Sequence, residues 1–338
     1  MSAETDLERA WDLLEAGDEP GARRLAEKLK SEDPSTPDVL LLQAACSRQR
    51  GDYDAALKLL QQASQADLSW AAPEIWTAEI LSEDPEQLSE ALRHASAALD
   101  RAEEEDEFLD AVALKAGLEI DLGKTSAARK TLQELPPLDA GAAMPPGMAL
   151  DFAHLFLEAG EVEEAALRFK ALIDDDDSNA DAWHGLGECA EAKGDEAAKR
   201  QAWKQVLSLD EKQDLEEPFM TEAQMGEVAE SALQELPEKV RGLVAHVPVL
   251  IADLPTADEV ERGLDPRLLG MFAGSAYADA SVMGGQPELT QILLFRKNLE
   301  RSAQNAEELA EQIRITLLHE TGHFFGMSEE DLAEVGLD

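Results

Sequence analysis

A glycine followed by an acidic residue recurs at a fixed distance in this chain. Gly17-Asp18 returns 34 residues later as Gly51-Asp52, and Gly160-Glu161 returns 34 residues later as Gly194-Asp195. Gly123 lies 72 residues after Gly51, which is two periods and a few extra residues. A period of this size predicts stacked helical hairpins. Glycine supplies the left-handed backbone that ends one helix and lets the next begin. Ala22, Ala56, Ala128 and Ala165 each fall five residues after their glycine, where a small side chain lets the second helix approach the first.

Two units carry more than the period. DAWHGLGECAEAKGDEAAKRQAWKQVLSLD holds Trp183, Leu186 and Gly187, with Gly194 eleven residues after the tryptophan. SRQRGDYDAALKLLQQAS holds Tyr53, Ala56 and Ala63. These resemble the tetratricopeptide repeat, and the resemblance runs from about residue 3 to 210 through degenerate units. The third unit, Trp70 to Leu99, is expected to turn at Asp84-Pro85 instead of at a glycine. The resemblance implies a right-handed superhelix with a concave groove for a protein or peptide partner. A groove that clamps acidic peptides needs a cluster of basic side chains. LERAWDLLEAG and PDVLLLQAACSRQRG offer only Arg9, Arg48 and Arg50, so the expected partner is basic or apolar.

Charge points the same way. The chain has 338 residues, 72 acidic against 29 basic, for a formal charge of −43. Such a surface repels phosphate backbones and anionic lipid, which argues against nucleic acid and membrane as partners. The length suits two or three domains. Cys46 and Cys189 allow one disulfide at most and read as small buried side chains. The start, MSAETDLERAWDLLEAGD, is acidic and amphipathic, unlike a signal peptide, and no stretch has the roughly 18 apolar residues of a membrane helix. A cytoplasmic protein is expected. Four aspartates, Asp174 to Asp177, lack the spaced pattern of a calcium loop and read as acids before a helix start. LPPLDAGAAMPPG reads as a loop between units.

After Asp210 the pattern changes, so the expected division is 1–212, an all-α solenoid, and 213–338, a small α+β domain. MTEAQMGEVAESALQELPEKV reads as an amphipathic helix with Met225, Val228, Ala232, Leu233 and Leu236 near one face. VPVLIADLP reads as a buried strand, Ile292 to Phe295 as another, and the glycine-rich stretch between them as short strands and loops. Asn305 with Glu308 predicts a capped helix start, and the helix runs toward Gly326 with Leu309, Ile313, Thr316, Leu317 and Phe324 inside. Its end carries His319-Glu320-x-x-His323. Histidines four apart share one helical face, and HExxH is the spacing at which two imidazoles bind zinc beside a glutamate base. A helix continued past His323 would carry Glu329 about 9 Å further along its axis. Gly326 permits a turn that brings it back.

HETGHFFGMSE resembles the extended zincin motif, with glutamate where the third ligand is usually His or Asp. Together with LPEKVRGLVAHVPVLIADLP, LLGMFAGSAYADAS and ILLFRKNLE, the segment resembles the mini-zincins, or zincin-like metallopeptidases. That resemblance implies a minimal α+β zincin core, a zinc site and peptidase activity. His319 and His323 are the expected ligands, with Glu329 third and Glu330, Asp331 and Glu334 as alternatives. Glu320 is the expected general base. The strand Ile292 to Phe295 is expected to pair with extended substrate along its edge. Tyr277 and Arg296 are candidate oxyanion donors, and His246 reads as structural. The rival is a non-catalytic repeat scaffold whose small domain holds a structural or inactive zinc site.

Overall fold

The computed structural model describes residues 3–33, 36–136, 144–215, 217–236, 241, 247–274 and 289–324. The chain forms two compact units, Met1–Leu172 and Ile173–Asp338. The multidomain architecture expected from the sequence is present: a helical repeat array, then a smaller region with a few strands.

The first unit is built from hairpins. They pair α1 (Ala3–Glu15) with α2 (Glu19–Glu32), α3 (Pro37–Gln49) with α4 (Tyr53–Ala66), α5 (Ala72–Ser82) with α6 (Leu88–Arg101), and α7 (Glu105–Asp121) with α8 (Thr125–Leu132). α9 (Pro146–Glu158) and α10 (Val162–Asp175) follow, with α10 running across the division. Every glycine of the periodic set turns with positive φ, from 68° at Gly123 to 78° at Gly17 and Gly160. A side chain there is strained. The acid after the glycine has its own task. Asp18 and Asp52 accept hydrogen bonds from Gly21 N and Ala55 N at 3.0 and 3.1 Å, capping the second helix of their hairpins. Ala22, Ala56, Ala128 and Ala165 are all fully buried. The third hairpin turns without glycine, through a 3₁₀ turn at Pro85–Gln87 that Asp84 caps by accepting from Glu86 N.

One buried polar cluster ties α4, α5 and α6 together. The Glu74 carboxylate meets His94 Nδ1 at 2.5 Å, accepts from Ser64 Oγ at 2.6 Å and lies 3.0 Å from Arg101 Nη1. The hydrogen bond with His94, helped by Ser64 and the charge of Arg101, holds the carboxyl down at about 2 despite its burial. A depressed carboxyl contributes stability above its unfolded pKa, and loses it as pH falls through the folded value. Glu74→Gln is therefore expected to destabilise the first unit by about 2–3 kcal/mol at pH 7, from lost charged hydrogen bonds. The difference from wild type should shrink between pH 4.5 and 2. Urea titrations at both ends of that window check it.

The second unit opens with another hairpin, α11 (Ala180–Ala192) and α12 (Glu196–Lys212), turned at Gly194 and capped by Asp195. Then come α13 (Glu222–Glu235), β1 (Val249–Ala252), α14 (Ala257–Glu261), β2 (Gly270–Gly274), β3 (Leu289–Phe295), α15 (Arg296–Arg301) and α16 (Ala306–Phe324). The sheet order is β1-β3-β2, with β1 parallel and β2 antiparallel to β3. The core packs Ile292 and Leu294 of β3 with Met225, Ala229 and Ala232 of α13 and Leu309, Ile313 and Leu317 of α16.

Two expectations about strands are corrected. β3 is the central strand, with both edges paired, so no substrate backbone can add to it. Among the described residues β1 is an edge strand, and it is only half buried, with Leu250 43% exposed. Its unbroken apolar run resembles that of an inner strand, and the misreading arises there. The charged RKNLER after β3 forms a helix, α15.

The compact units divide between Leu172 and Ile173, so the α11–α12 hairpin belongs to the second unit. The reason is the chemistry of α11–α12. Where the earlier hairpins have a buried alanine, this one has Lys199, buried over the Trp203 ring and paired with Glu191 and Glu196 at 3.1 Å each. Trp203 and Leu207 pack on Val260 of α14 and on Leu254. α15 completes the joint. Lys297 Nζ donates to the carbonyls of Asp210, Glu211 and Gln213 at 3.2, 3.4 and 2.6 Å, closing the end of α12. Glu300 accepts from the backbone amides of Phe219 and Met220. Arg301 reaches Asp210 at 2.8 Å.

Candidate metal centre

The helix that carries HExxH is fixed at its start and along one side. Asn305 Oδ1 accepts from the amides of Glu307 and Glu308 at 3.0 Å, and Glu308 reaches back to the amide of Gln304 at 2.9 Å. The expected cap is present, shifted by one residue in its return bond. Leu309, Ile313, Thr316 and Leu317 are buried, as the apolar spacing requires. Phe324 ends the described helix, and its side chain lies outside the described residues.

The sheet holds α16 at close range. A Cβ on Gly270 of β2 would lie 2.7 Å from Thr316 Cγ2, 3.0 Å from Leu293 O and 3.1 Å from Leu294 Cδ2. Any larger residue forces Thr316 or its β3 neighbours to give way. Thr316 stands one turn before His319 and Glu320, so the motif begins where the helix is pinned. No periodicity marks Gly270 in the sequence; its value lies in a contact with a residue 46 positions away.

His319 and Glu320 are half-buried on α16, and the helix continues through His323. The backbone therefore gives the two histidines the i, i+4 relation, about 6 Å apart along the axis on one face. Thr321 turns its hydroxyl back to Leu317 O at 2.7 Å and is buried. Two imidazoles and an adjacent carboxylate are a donor set suited to zinc. Among the described residues no group of three His, Cys, Asp or Glu gathers to hold a metal ion. The expected third ligand Glu329, its alternatives Glu330, Asp331 and Glu334, the turn at Gly326, and His246 and Tyr277 all lie outside the described residues. Of the two candidate oxyanion donors, Arg296 is described. Its guanidinium is engaged by Asp253, at 2.7 Å from Nη2 and 2.8 Å from Nε.

Cys46 and Cys189 are buried, and burial pushes the Cys46 thiol up to about 11. No helix among the described residues is long and apolar enough to cross a membrane.

The described fold is a tetratricopeptide-like helical array followed by a smaller region with a few strands. Residues 244–337 match the family described as zincin-like metallopeptidase, and residues 7–72 and 150–212 match the tetratricopeptide repeat. Among solved structures, the chain is similar to PilF of Pseudomonas aeruginosa, at 16% identity and a TM-score of 0.50 over 62% of this chain and 93% of that one. It is similar also to PilW, described as a type IV pilus biogenesis factor, at 18% identity and a TM-score of 0.50 over 63% and 95%. At these identities the likeness concerns the repeat fold. No curated protein matches the chain.

Proposed function

We propose that the chain is a zinc-dependent metallopeptidase whose repeats recruit a basic protein or peptide. The observation that carries this reading is HExxH on a capped helix seated on a sheet, inside the segment that matches zincin-like metallopeptidases. His319 and His323 hold the metal in this reading, with Glu329 as third ligand. Zinc, when bound, polarises the scissile carbonyl and acidifies water. Glu320 takes the proton of the attacking water and delivers it to the leaving amine. Substrate backbone pairs with β2, the antiparallel strand that meets α16 and forms one edge of the sheet among the described residues.

The preference for a basic partner draws on the first unit. Trp11 of α1 meets Trp76 of α5 edge to face at 5.9 Å, past the intervening α3. One turn after Trp76, Glu79 lies near Asp110 of α7, which also has Asp106 one turn before it. Burial, then the charges of Glu79 and Asp106, push the Asp110 carboxyl up. Glu107 beside it is raised, first by burial. Arg48, 2.6 Å from Glu79, is a cation drawn to this face, and a lysine or arginine of a partner relieves the same repulsion. A cytoplasmic location belongs to the same reading.

Metal analysis tests the proposal. The purified chain is expected to hold about one zinc per chain, and the double variant His319→Ala, His323→Ala to hold none while keeping its helix content. A wild-type chain that takes up no zinc at neutral pH would contradict the reading.

A further inference from the structure

The segment between α14 and β2 is gripped from both sides. On one side stands the last repeat hairpin. His184 Nε2 of α11 lies 2.9 Å from Asp265 Oδ1. Arg267 bonds to Asp181 of α11, and its Nε lies 3.3 Å from Asp210 Oδ2 of α12. The His184 ring stacks on Trp203, at 14° and 6.4 Å between centroids. On the other side stands α15, where Asn298 Nδ2 donates to the carbonyls of Pro266 and Leu268 at 2.9 and 2.8 Å. Leu269 O then accepts from Phe295 N at 2.8 Å, and the next residue is Gly270, on which Thr316 rests.

These contacts make a continuous line from the repeat hairpin to the motif. Asp265 and Arg267 are five and three residues from Gly270, and Thr316 is one turn from His319. The line has little slack, because its members are buried or bonded on two sides. Packed elements with close backbone approach shift together instead of deforming one at a time. A displacement of the hairpin against Asp265 and Arg267 therefore moves β2 under α16.

We propose that His184, Asp265 and Arg267 form a clasp through which the last repeat hairpin sets the position of the metal-site helix. This rests on the reading of α16 as a zinc helix, and makes the three positioning residues for that site. It also gives the repeats a second use. A partner that strains or steadies the α11–α12 hairpin tunes metal affinity without touching the metal ligands.

The clasp is charged. Burial pulls the His184 pKa down, but the hydrogen bond and charge of Asp265, aided by Glu188 at 3.7 Å, bring it out above the ordinary histidine value. The groups around it are Asp265 and Arg267 from the connecting segment, Glu188 and Asp181 from α11, and Lys199 and Asp210 from α12. A raised histidine gives its full contribution below the unfolded value and loses it as pH rises through the folded one.

The test uses the full chain and zinc alone, with affinity read by competition against a chromophoric chelator. His184→Gln and Gly270→Ala are each expected to weaken zinc binding about 5- to 150-fold, the span of ordinary coupling between sites. The double variant should lose less than the product of the single losses, since both act on one element. The ratio of wild-type to His184→Gln affinity should fall toward one as pH rises through the His184 titration, which a purely structural defect would not produce. Asp265→Asn, which keeps an acceptor for His184, replaces His184→Gln if that variant does not fold. Wild-type affinity in folded His184→Gln or Asp265→Asn overturns the clasp while leaving the metallopeptidase reading in place. No zinc uptake by the wild type overturns that reading and the clasp with it.

Discussion

Glu320→Gln is expected to lower peptide turnover by about 10²- to 10⁴-fold, the contribution of a positioned general base. Zinc content and the urea midpoint should stay at wild-type values. The substitution suits the site. Glu320 is half-buried on α16, between the buried Thr316 and the end of the described helix, so an amide of the same shape keeps the packing. What is lost is the ability to take a proton. Parallel measurement of initial rates and bound zinc separates the possibilities. A loss of zinc along with activity would make Glu320 a ligand or a fold determinant and remove it from the role of base. Unchanged turnover would place the chemistry elsewhere.

Asp210→Ala is expected to destabilise the second unit by about 3–5 kcal/mol, the usual cost of removing one partner from a buried ion cluster. Asp210 is 1% exposed, and its Oδ2 faces both Arg267 Nε at 3.3 Å and Arg301 Nη1 at 2.8 Å. Removing it takes from Arg301 the carboxylate at 2.8 Å and leaves Arg267 with Asp181 alone. Asp210→Asn keeps an oxygen acceptor and is expected to cost less than alanine. For a unit of this size, several kcal/mol lowers the melting temperature by roughly 10 °C. Calorimetry of the full chain should show the loss in the transition of the second unit, with the first unit's transition unmoved. A loss below about 0.5 kcal/mol, typical of surface sites, would mean that the α12–α15 joint is incidental.

The sequence announces the hairpins because glycine is the residue that readily adopts φ near +70° at their turns, so a backbone need is written as a residue type. The buried alanines are visible for the same reason, as each hairpin repeats one packing problem. The helix of the candidate site is legible through its cap and stripe. Other features are written in contacts between distant residues and leave no local trace. Gly270 matters only because Thr316 lies against it. β3 becomes central only when β2 pairs along its other edge. RKNLER looks like a solvated strand end, yet Lys297, Asn298 and Glu300 are buried because each serves a backbone group from another element. Lys199 sets the last hairpin apart from the others. It breaks the alanine series at the one position where a long cation packs on Trp203.

Cleavage of peptide bonds with zinc held by α16 is the activity proposed for this chain. The most direct measurement is mass spectrometry of lysine- and arginine-rich peptides incubated with the zinc-loaded full chain. Internal cleavage that stops when zinc is removed and returns when it is restored is the expected result. A chain that binds one zinc, retains the same bound peptides as Glu320→Gln and never cleaves them would rule out the peptidase activity and make the protein a repeat scaffold with a structural metal.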